Sequence, residues 1–130
     1  MNARLAIGVA ALAFSLQAAA APRYENIVLS DTKGGAQKNT FTANTAKVYL
    51  HAKLVDGGKA STVKSDWIAE KTKVAAPNYK MDSVELKLGP MANAVDFSMS
   101  KPTKGWPPGD YRVDLFIDGK PAGTAKYQVK

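Results

Sequence analysis

The chain has 130 residues, no cysteine, one histidine and a formal net charge of +7. Without cysteine there are no disulfides and no thiolate metal sites, and a single histidine leaves no recognisable zinc site. Nearly all of the positive charge is lysine, which suits bidentate phosphate recognition less well than arginine does. Specific readout of nucleic acid is therefore not expected.

The first twenty residues have the pattern of a secretory signal peptide. Arg4 precedes an apolar, alanine-rich segment over residues 5–16, and Ala18 and Ala20 fit the small-residue rule for cleavage. The apolar segment is shorter than the roughly 20 residues that a membrane span needs. We therefore expect residues 1–20 to be removed and residues 21–130 to form one domain, periplasmic or secreted. A buried first helix is the alternative.

Short strands separated by turns are predicted along the rest of the chain. We expect a first strand at Glu25–Ser30 and a second at Thr45–Val55, where apolar and polar residues alternate. Alternation of this length indicates a half-buried strand. Phe41 is isolated between polar residues and is expected to plug the edge of the core. Asp56–Gly58 would turn the chain into a strand at Thr62–Ala69, so that the two long strands form a hairpin.

The second half of the chain continues the same pattern. A polar crossover is expected over Glu70–Lys80, followed by strands around Val84–Leu88 and Val95–Met99. No segment has the apolar period of a helix. About seven short strands indicate an all-β fold, an antiparallel sandwich of two sheets. A small closed barrel is the alternative.

The C-terminal stretch predicts a closing hairpin in which the odd-numbered residues of 111–117 face the core. A plain two-residue loop would place Tyr111 on the same face as Lys126. We therefore expect an odd loop or a bulge within residues 118–123, with Gly119 at positive φ.

This hairpin carries a resemblance to a known fold. Its residues are Gly105-Trp106, Gly109-x-Tyr111-x-Val113, Asp118-Gly119 and Tyr127-x-Val129. The pattern resembles the closing hairpin of immunoglobulin-like domains in small exported bacterial proteins. Phe41, Trp67 and the strand with Val48 and Leu50 fit the earlier half. The resemblance covers most of residues 21–130 and implies a sandwich with a binding or accessory role.

Six residues are candidates for binding a partner, namely Lys47, Tyr49, His51, Lys53, Trp106 and Phe116. The first four share the outer face of one strand, where basic and aromatic groups would hold an acidic partner or a sugar. An ordinary solvated sheet face is the alternative for this row. Phe116 is expected to point outward between two aspartates. Trp106 would either stack on a ligand or fold back to cap the core.

No residue is assigned to catalysis, to a cofactor or to a metal. A catalytic triad needs an oriented, partly buried base, whereas His51 is expected to be a solvated strand residue. Asp110, Asp114 and Asp118 recur at every fourth position. On a strand, neighbours in this series lie about 13 Å apart, which is too far for one calcium ion.

The sequence thus predicts an exported, non-enzymatic module that binds a protein partner in the cell envelope or outside, through a sheet face or end loops. The alternative is a lysine-driven binder of anionic glycan, lipid or nucleic acid. A small hydrolase using Glu70 or Glu85 is the third hypothesis.

Overall fold

The computed structural model describes residues 21–130. The predicted signal peptide, residues 1–20, lies outside the described residues. From residue 21 onward, no helix has the length and hydropathy of a membrane span.

Eight strands are described in this part of the chain, and we number them in chain order. They are β1 (Arg23–Ser30), β2 (Thr40–Phe41), β3 (Lys47–Val55), β4 (Thr62–Thr72), β5 (Tyr79–Lys87), β6 (Ala94–Ser100), β7 (Gly109–Ile117) and β8 (Lys120–Val129). A single turn of 3-10 helix occupies Gly57–Lys59.

The strands form two open sheets. The smaller sheet has the order β1-β3-β6 and the larger has the order β2-β8-β7-β4-β5. All pairs are antiparallel except the short parallel pair of β2 with β8. The predicted all-β sandwich is confirmed, and the alternative of a closed barrel is wrong.

The core lies between the two sheets and is rich in aromatic rings. Trp67, Trp106 and Tyr111 are fully buried. The predicted inner face of β3 is buried from Val48 to Leu54, because every second side chain points at the larger sheet. Phe41 is also buried, with its ring edge-on to Tyr127 at 5.6 Å between centroids.

The closing hairpin has the predicted bulge. Tyr111 pairs with Tyr127, so the apolar faces of β7 and β8 coincide, and the register shifts between Leu115 and Phe116. The turn itself is Asp118-Gly119, with φ of 49° and 80°. A two-residue turn therefore coexists with an inward-facing Tyr127 because the bulge absorbs one residue.

Two predicted connections are wrong. β3 and β4 do not form a hairpin, because they lie in different sheets. The segment from Asp56, with φ of 57°, through the 3-10 turn carries the chain from one sheet to the other. Glu70–Lys80 is not a crossover, because β4 runs on to Thr72 and the chain turns straight back into β5 beside it. Alternation specifies which face of a strand is buried, and it leaves the choice of neighbour open.

Candidate functional site

The predicted row on β3 lies on the solvent face of the smaller sheet. Lys47, His51 and Lys53 are exposed, and Tyr49 is half-buried. His51 Nδ1 lies 2.8 Å from Asp96 Oδ1 on the neighbouring strand β6, and both side chains are exposed. The structure thus brings the four residues together on an open, flat face.

Trp106 lies in the core, and only 1% of its surface is exposed. Its Nε1 donates a hydrogen bond to the Thr45 carbonyl oxygen at 2.8 Å. Its ring packs edge-on against Tyr111 and Tyr127, with centroids 5.7 and 6.2 Å away. The indole therefore offers no face to a ligand. Of the two alternatives for Trp106, the core cap describes its position.

Phe116 is half-buried on the outer face of the larger sheet. It lies opposite Lys64 of β4, whose Nζ is 4.4 Å from the ring centroid. A lysine at this distance interacts favourably with the face of the ring. Phe116 points outward as predicted, and its ring already contacts the ammonium group of Lys64.

Around Phe116, the outer face of the larger sheet is occupied by paired charges. Arg112 donates to Glu70 at 3.0 Å and to Asp114 at 3.1 Å. The buried Asp66 carboxylate accepts a hydrogen bond from Ser83 at 2.6 Å. A partner that used these groups would first have to displace such contacts, which makes this face a poor docking surface.

The three regularly spaced aspartates have separate roles. Asp110 accepts a hydrogen bond from Gln128, and Asp114 is held by Arg112. Asp118 accepts from the backbone amides of Ser61 and Thr62 at 2.8 and 2.9 Å. Within residues 21–130, no group of three potential ligands is placed to hold a metal ion.

A further candidate site lies at one open edge of the sandwich. β5 is the outermost strand of the larger sheet, and its Leu86 pairs with Val63 of β4. Directly paired residues share a face, so both side chains point to the core side. Val63 is fully buried, whereas 39% of Leu86 is exposed. The smaller sheet therefore does not extend over β5.

The exposed large apolar side chains of residues 21–130 all lie on β5 or on its flanking turns. They are Val74 at 73%, Tyr79 at 55%, Leu86 at 39% and Met91 at 87% exposure. Of these four, Val74 and Tyr79 line one groove. Exposed apolar surface that is contiguous marks an interaction site more often than scattered single residues do.

A groove of about 710 Å³ opens at this edge, and we call it the edge groove. β5 and the turn before it contribute Val74, Tyr79 and Met81, while β6 and the connection after it contribute Met99, Pro102 and Pro107. The lining includes no charged residue among those that the structure describes. Tyr111 also lines the groove, and its hydroxyl donates to the Pro107 carbonyl. Burial raises the pKa of Tyr111 to about 12, so its hydroxyl keeps the proton that it donates.

Five lysines lie next in sequence to residues that line the edge groove, and Lys80 among them is paired with Asp66. We call the other four the rim lysines. They are Lys71, Lys73, Lys101 and Lys104. All four are exposed, and none forms an ion pair with another residue of the described part of the chain. Glu70, Asp82 and Asp110 also lie next in sequence to lining residues, so basic groups outnumber acidic ones beside a groove whose lining is uncharged.

Comparison with known proteins shows similarity in fold only. The chain matches no known family model and no curated protein. Among solved structures it is similar to an immunoglobulin-like protein from Pseudomonas aeruginosa, with 15% identity and a TM-score of 0.58, over 85% of this chain and 97% of that one. It is also similar to an alkylpurine DNA glycosylase from Pseudomonas fluorescens, with 15% identity and a TM-score of 0.48, over 84% of this chain and 30% of that one. The first likeness confirms the predicted immunoglobulin-like sandwich and, at this identity, shows the fold alone.

Proposed function

We propose that the protein is an exported, non-catalytic module that binds a protein partner through the edge groove. The observation that carries this proposal is the confinement of exposed Val74, Tyr79, Leu86 and Met91 to one edge of the sandwich. Water-exposed apolar surface of this kind is stabilised when a partner covers it. The signal-peptide pattern of residues 1–20 supports export to the periplasm or the medium.

The positions of the candidate catalytic groups favour binding over hydrolysis. His51 lies exposed on the outer face of the smaller sheet, where its Nδ1 is 2.8 Å from the Asp96 carboxylate. Glu70 lies on the larger sheet, where it forms an ion pair with Arg112 of the same sheet. Neither group lines the edge groove, so the chemistry of a hydrolase and the shape of a binding cleft do not coincide.

A lysine-driven binder of anionic polymers or lipids is the second candidate function. The rim lysines favour it, because four exposed ammonium groups near one groove attract anions from solution. This binding would depend on charge, and it would fall steeply as salt screens the lysines.

A pull-down from the envelope and medium of the native host separates the two candidates. The bait is residues 21–130, which contain the whole described sandwich, washed at low and then at high salt. We expect one protein to stay bound at high salt. Diffuse anionic material that is lost at high salt would contradict the proposal and support the second candidate.

Two tyrosine variants locate the binding surface. Tyr79→Ser removes an exposed ring from the edge groove, and Tyr49→Ser removes a half-buried ring from the outer face of β3. We expect only Tyr79→Ser to lose the partner, because Tyr49 lies outside the groove. Loss with Tyr49→Ser and retention with Tyr79→Ser would move the site to the row of Lys47, Tyr49, His51 and Lys53.

A further inference from the structure

The free edge of β6 indicates how a protein partner would bind. This inference rests on the proposed function, in which such a partner exists. Backbone bonds from Lys101 to the Ala46 carbonyl, at 2.8 Å, and from Leu54 to the Asn93 carbonyl, at 2.9 Å, set the phase of the ladder between β3 and β6. In an antiparallel pair these bonds recur at every second residue. Odd-numbered residues of β6 therefore bond to β3, and the backbone groups of Asp96 and Ser98 point to the free edge.

The other sheet edges carry features that block strand addition. β2 is only two residues long. β1 is interrupted by a register shift between Glu25 and Val28. β5 has Lys80 and Lys87, and Met81 is an extra residue in its register with β4. Short strands, bulges and lysines are the usual means by which proteins protect an edge.

β6 has none of these protections. Its seven residues, AVDFSMS, include no lysine, arginine or proline. Its register with β3 is continuous from Ala94 to Ser100. Of the edges in the described part of the chain, β6 is therefore the one suited to accept another strand.

A strand added to β6 would lie opposite β5. β1, at the far end of the smaller sheet, lies over β8, since the Ile27 side chain is next to Gly123. β6 approaches β4 and β5 in the edge groove, where Met99 faces Ala69 and Met81. A fourth strand beside β6 would thus cover the uncovered core side of β5, including Leu86, and the smaller sheet would grow from three strands to four.

We propose that β6 binds an extended segment of the partner by strand addition, the segment having apolar side chains toward β5 and carboxylates beside the rim lysines. Main-chain hydrogen bonds to Asp96 and Ser98 would supply affinity, and the groove would select the alternate side chains. The carboxylates follow from charge complementarity, because the rim lysines have no acidic partner within residues 21–130.

Amide hydrogen exchange, followed residue by residue by NMR, tests this mode with two synthetic peptides. Both alternate valine and threonine over about nine residues, and one ends in two glutamates while the other ends in two lysines. We expect the saturating glutamate peptide to slow exchange at Asp96 and Ser98. Exchange at Val95 and Phe97, already bonded to β3, would change little. The lysine peptide should bind roughly tenfold more weakly at low salt.

A proline at Ser98 gives a second test. Ser98→Pro removes an amide that faces the free edge and leaves the bonds to β3 in place. Ser98→Ala removes the hydroxyl and keeps the amide, so it is the matched control. We expect Ser98→Pro to weaken peptide binding roughly tenfold or more and Ser98→Ala to keep it. Should Ser98→Pro fail to fold, the exchange pattern of the unmodified protein still decides.

The outcomes distinguish the binding mode from the proposed function. Unchanged exchange at Asp96 and Ser98 under saturating peptide, with the partner still captured by Ser98→Pro, would overturn strand addition and leave the proposed function standing. The proposed function would be overturned if the unmodified chain captured no protein at high salt and Tyr79→Ser retained the same material as the unmodified chain. The inference of strand addition would then fail with it.

Discussion

At the scale of single residues, Trp106 combines three contacts that a ligand-stacking residue would not have. It is buried, it donates to the Thr45 carbonyl, and it packs on Tyr111 and Tyr127. We expect Trp106→Ala to lower the free energy of unfolding by about 3–5 kcal/mol, because it leaves a cavity in the core. Trp106→Phe fills most of the space but leaves the Thr45 carbonyl without its donor, and should cost about 1–3 kcal/mol.

Urea denaturation measures both Trp106 variants, and the midpoint should fall in the order unmodified chain, Trp106→Phe, Trp106→Ala. Capture of the partner by the folded fraction should not change, since the indole is not at the surface. An unchanged urea midpoint together with lost capture would show that Trp106 is a ligand contact after all.

Asp118 connects the closing hairpin to the start of β4 by accepting hydrogen bonds from the amides of Thr62 and Ser61. These bonds lower the pKa of Asp118 below its ordinary value. A carboxyl whose pKa is lower in the folded state stabilises the fold above its unfolded pKa. That contribution is lost as pH falls through the lowered, folded-state pKa.

Asp118→Asn tests this dependence, because asparagine tolerates the φ of 49° at this position and keeps an oxygen acceptor without the charge. We expect the unmodified chain to be the more stable protein above about pH 5. The difference in urea midpoint should narrow as the pH is lowered toward 2. A difference that stays constant over this range would show that the charge of Asp118 adds nothing to its hydrogen bonds.

At the scale of elements, the closing hairpin was predicted from the sequence down to its bulge. The inward-facing residues of both β7 and β8 are odd-numbered, whereas a plain two-residue turn would pair odd positions with even ones. The pairing of Tyr111 with Tyr127 therefore requires one extra residue in the hairpin. Turn chemistry and alternation act over a few residues, so a local pattern is enough to specify them.

The partners of β3 and β4 were not predictable in the same way. The segment 56–61 has turn residues, and such a segment can either reverse the chain within one sheet or carry it to the other. Both arrangements bury the same faces of β3 and β4, so alternation does not distinguish them. The pairing of β3 with β1 and β6 depends on contacts between distant parts of the chain.

Gly109 in β7 and Gly119 just after it allow two costs of substitution to be compared, namely backbone strain and steric contact with a neighbouring strand. Gly119, with φ of 80°, has nothing within 4 Å of the position of an added Cβ. Gly109, with φ of 152°, would place a Cβ 2.2 Å from the Lys71 carbonyl oxygen. We expect Gly119→Ala to cost about 1–2 kcal/mol from its positive φ, and Gly109→Ala to cost clearly more because β4 must also move.

Thermal unfolding of the two alanine variants, side by side, measures the contribution of the close approach. Gly119→Ala is the control for the conformational cost. Equal losses in melting temperature would contradict the tight contact between Gly109 and Lys71 and would place the whole effect in backbone strain.

At the scale of the whole molecule, the edge groove depends on how far each of the two sheets extends, which no single segment of the sequence encodes. Val84 and Leu86 belong to a predicted strand, and through their pairing with Ser65 and Val63 of β4 they face the core, as Val48 and Leu50 do. Leu86 is more exposed than Val48 and Leu50 because the five-stranded sheet extends beyond the three-stranded sheet at the β5 edge. The extent of each sheet is a property of the assembled strands, so the edge groove becomes visible only in the structure.

A pair of Val→Thr variants tests whether the edge is kept for binding. Val74 is 73% exposed in the edge groove, whereas Val48 is fully buried in β3. Both substitutions replace a methyl group by a hydroxyl at nearly constant volume. We expect Val74→Thr to change the free energy of unfolding by less than about 0.5 kcal/mol and to weaken capture of the partner. Val48→Thr should lower it by about 1–3 kcal/mol, because its hydroxyl is buried without a partner.

Chemical denaturation and the pull-down, performed on the same two proteins, give the comparison. If the groove serves a partner, stability and binding separate: Val74→Thr loses capture and keeps its fold, and Val48→Thr loses stability while its folded fraction still binds. A Val74→Thr protein that is markedly destabilised would mean that this edge is needed by the fold itself. Val74 would then be part of the packing, and the case for a binding edge would rest on Tyr79, Leu86 and Met91.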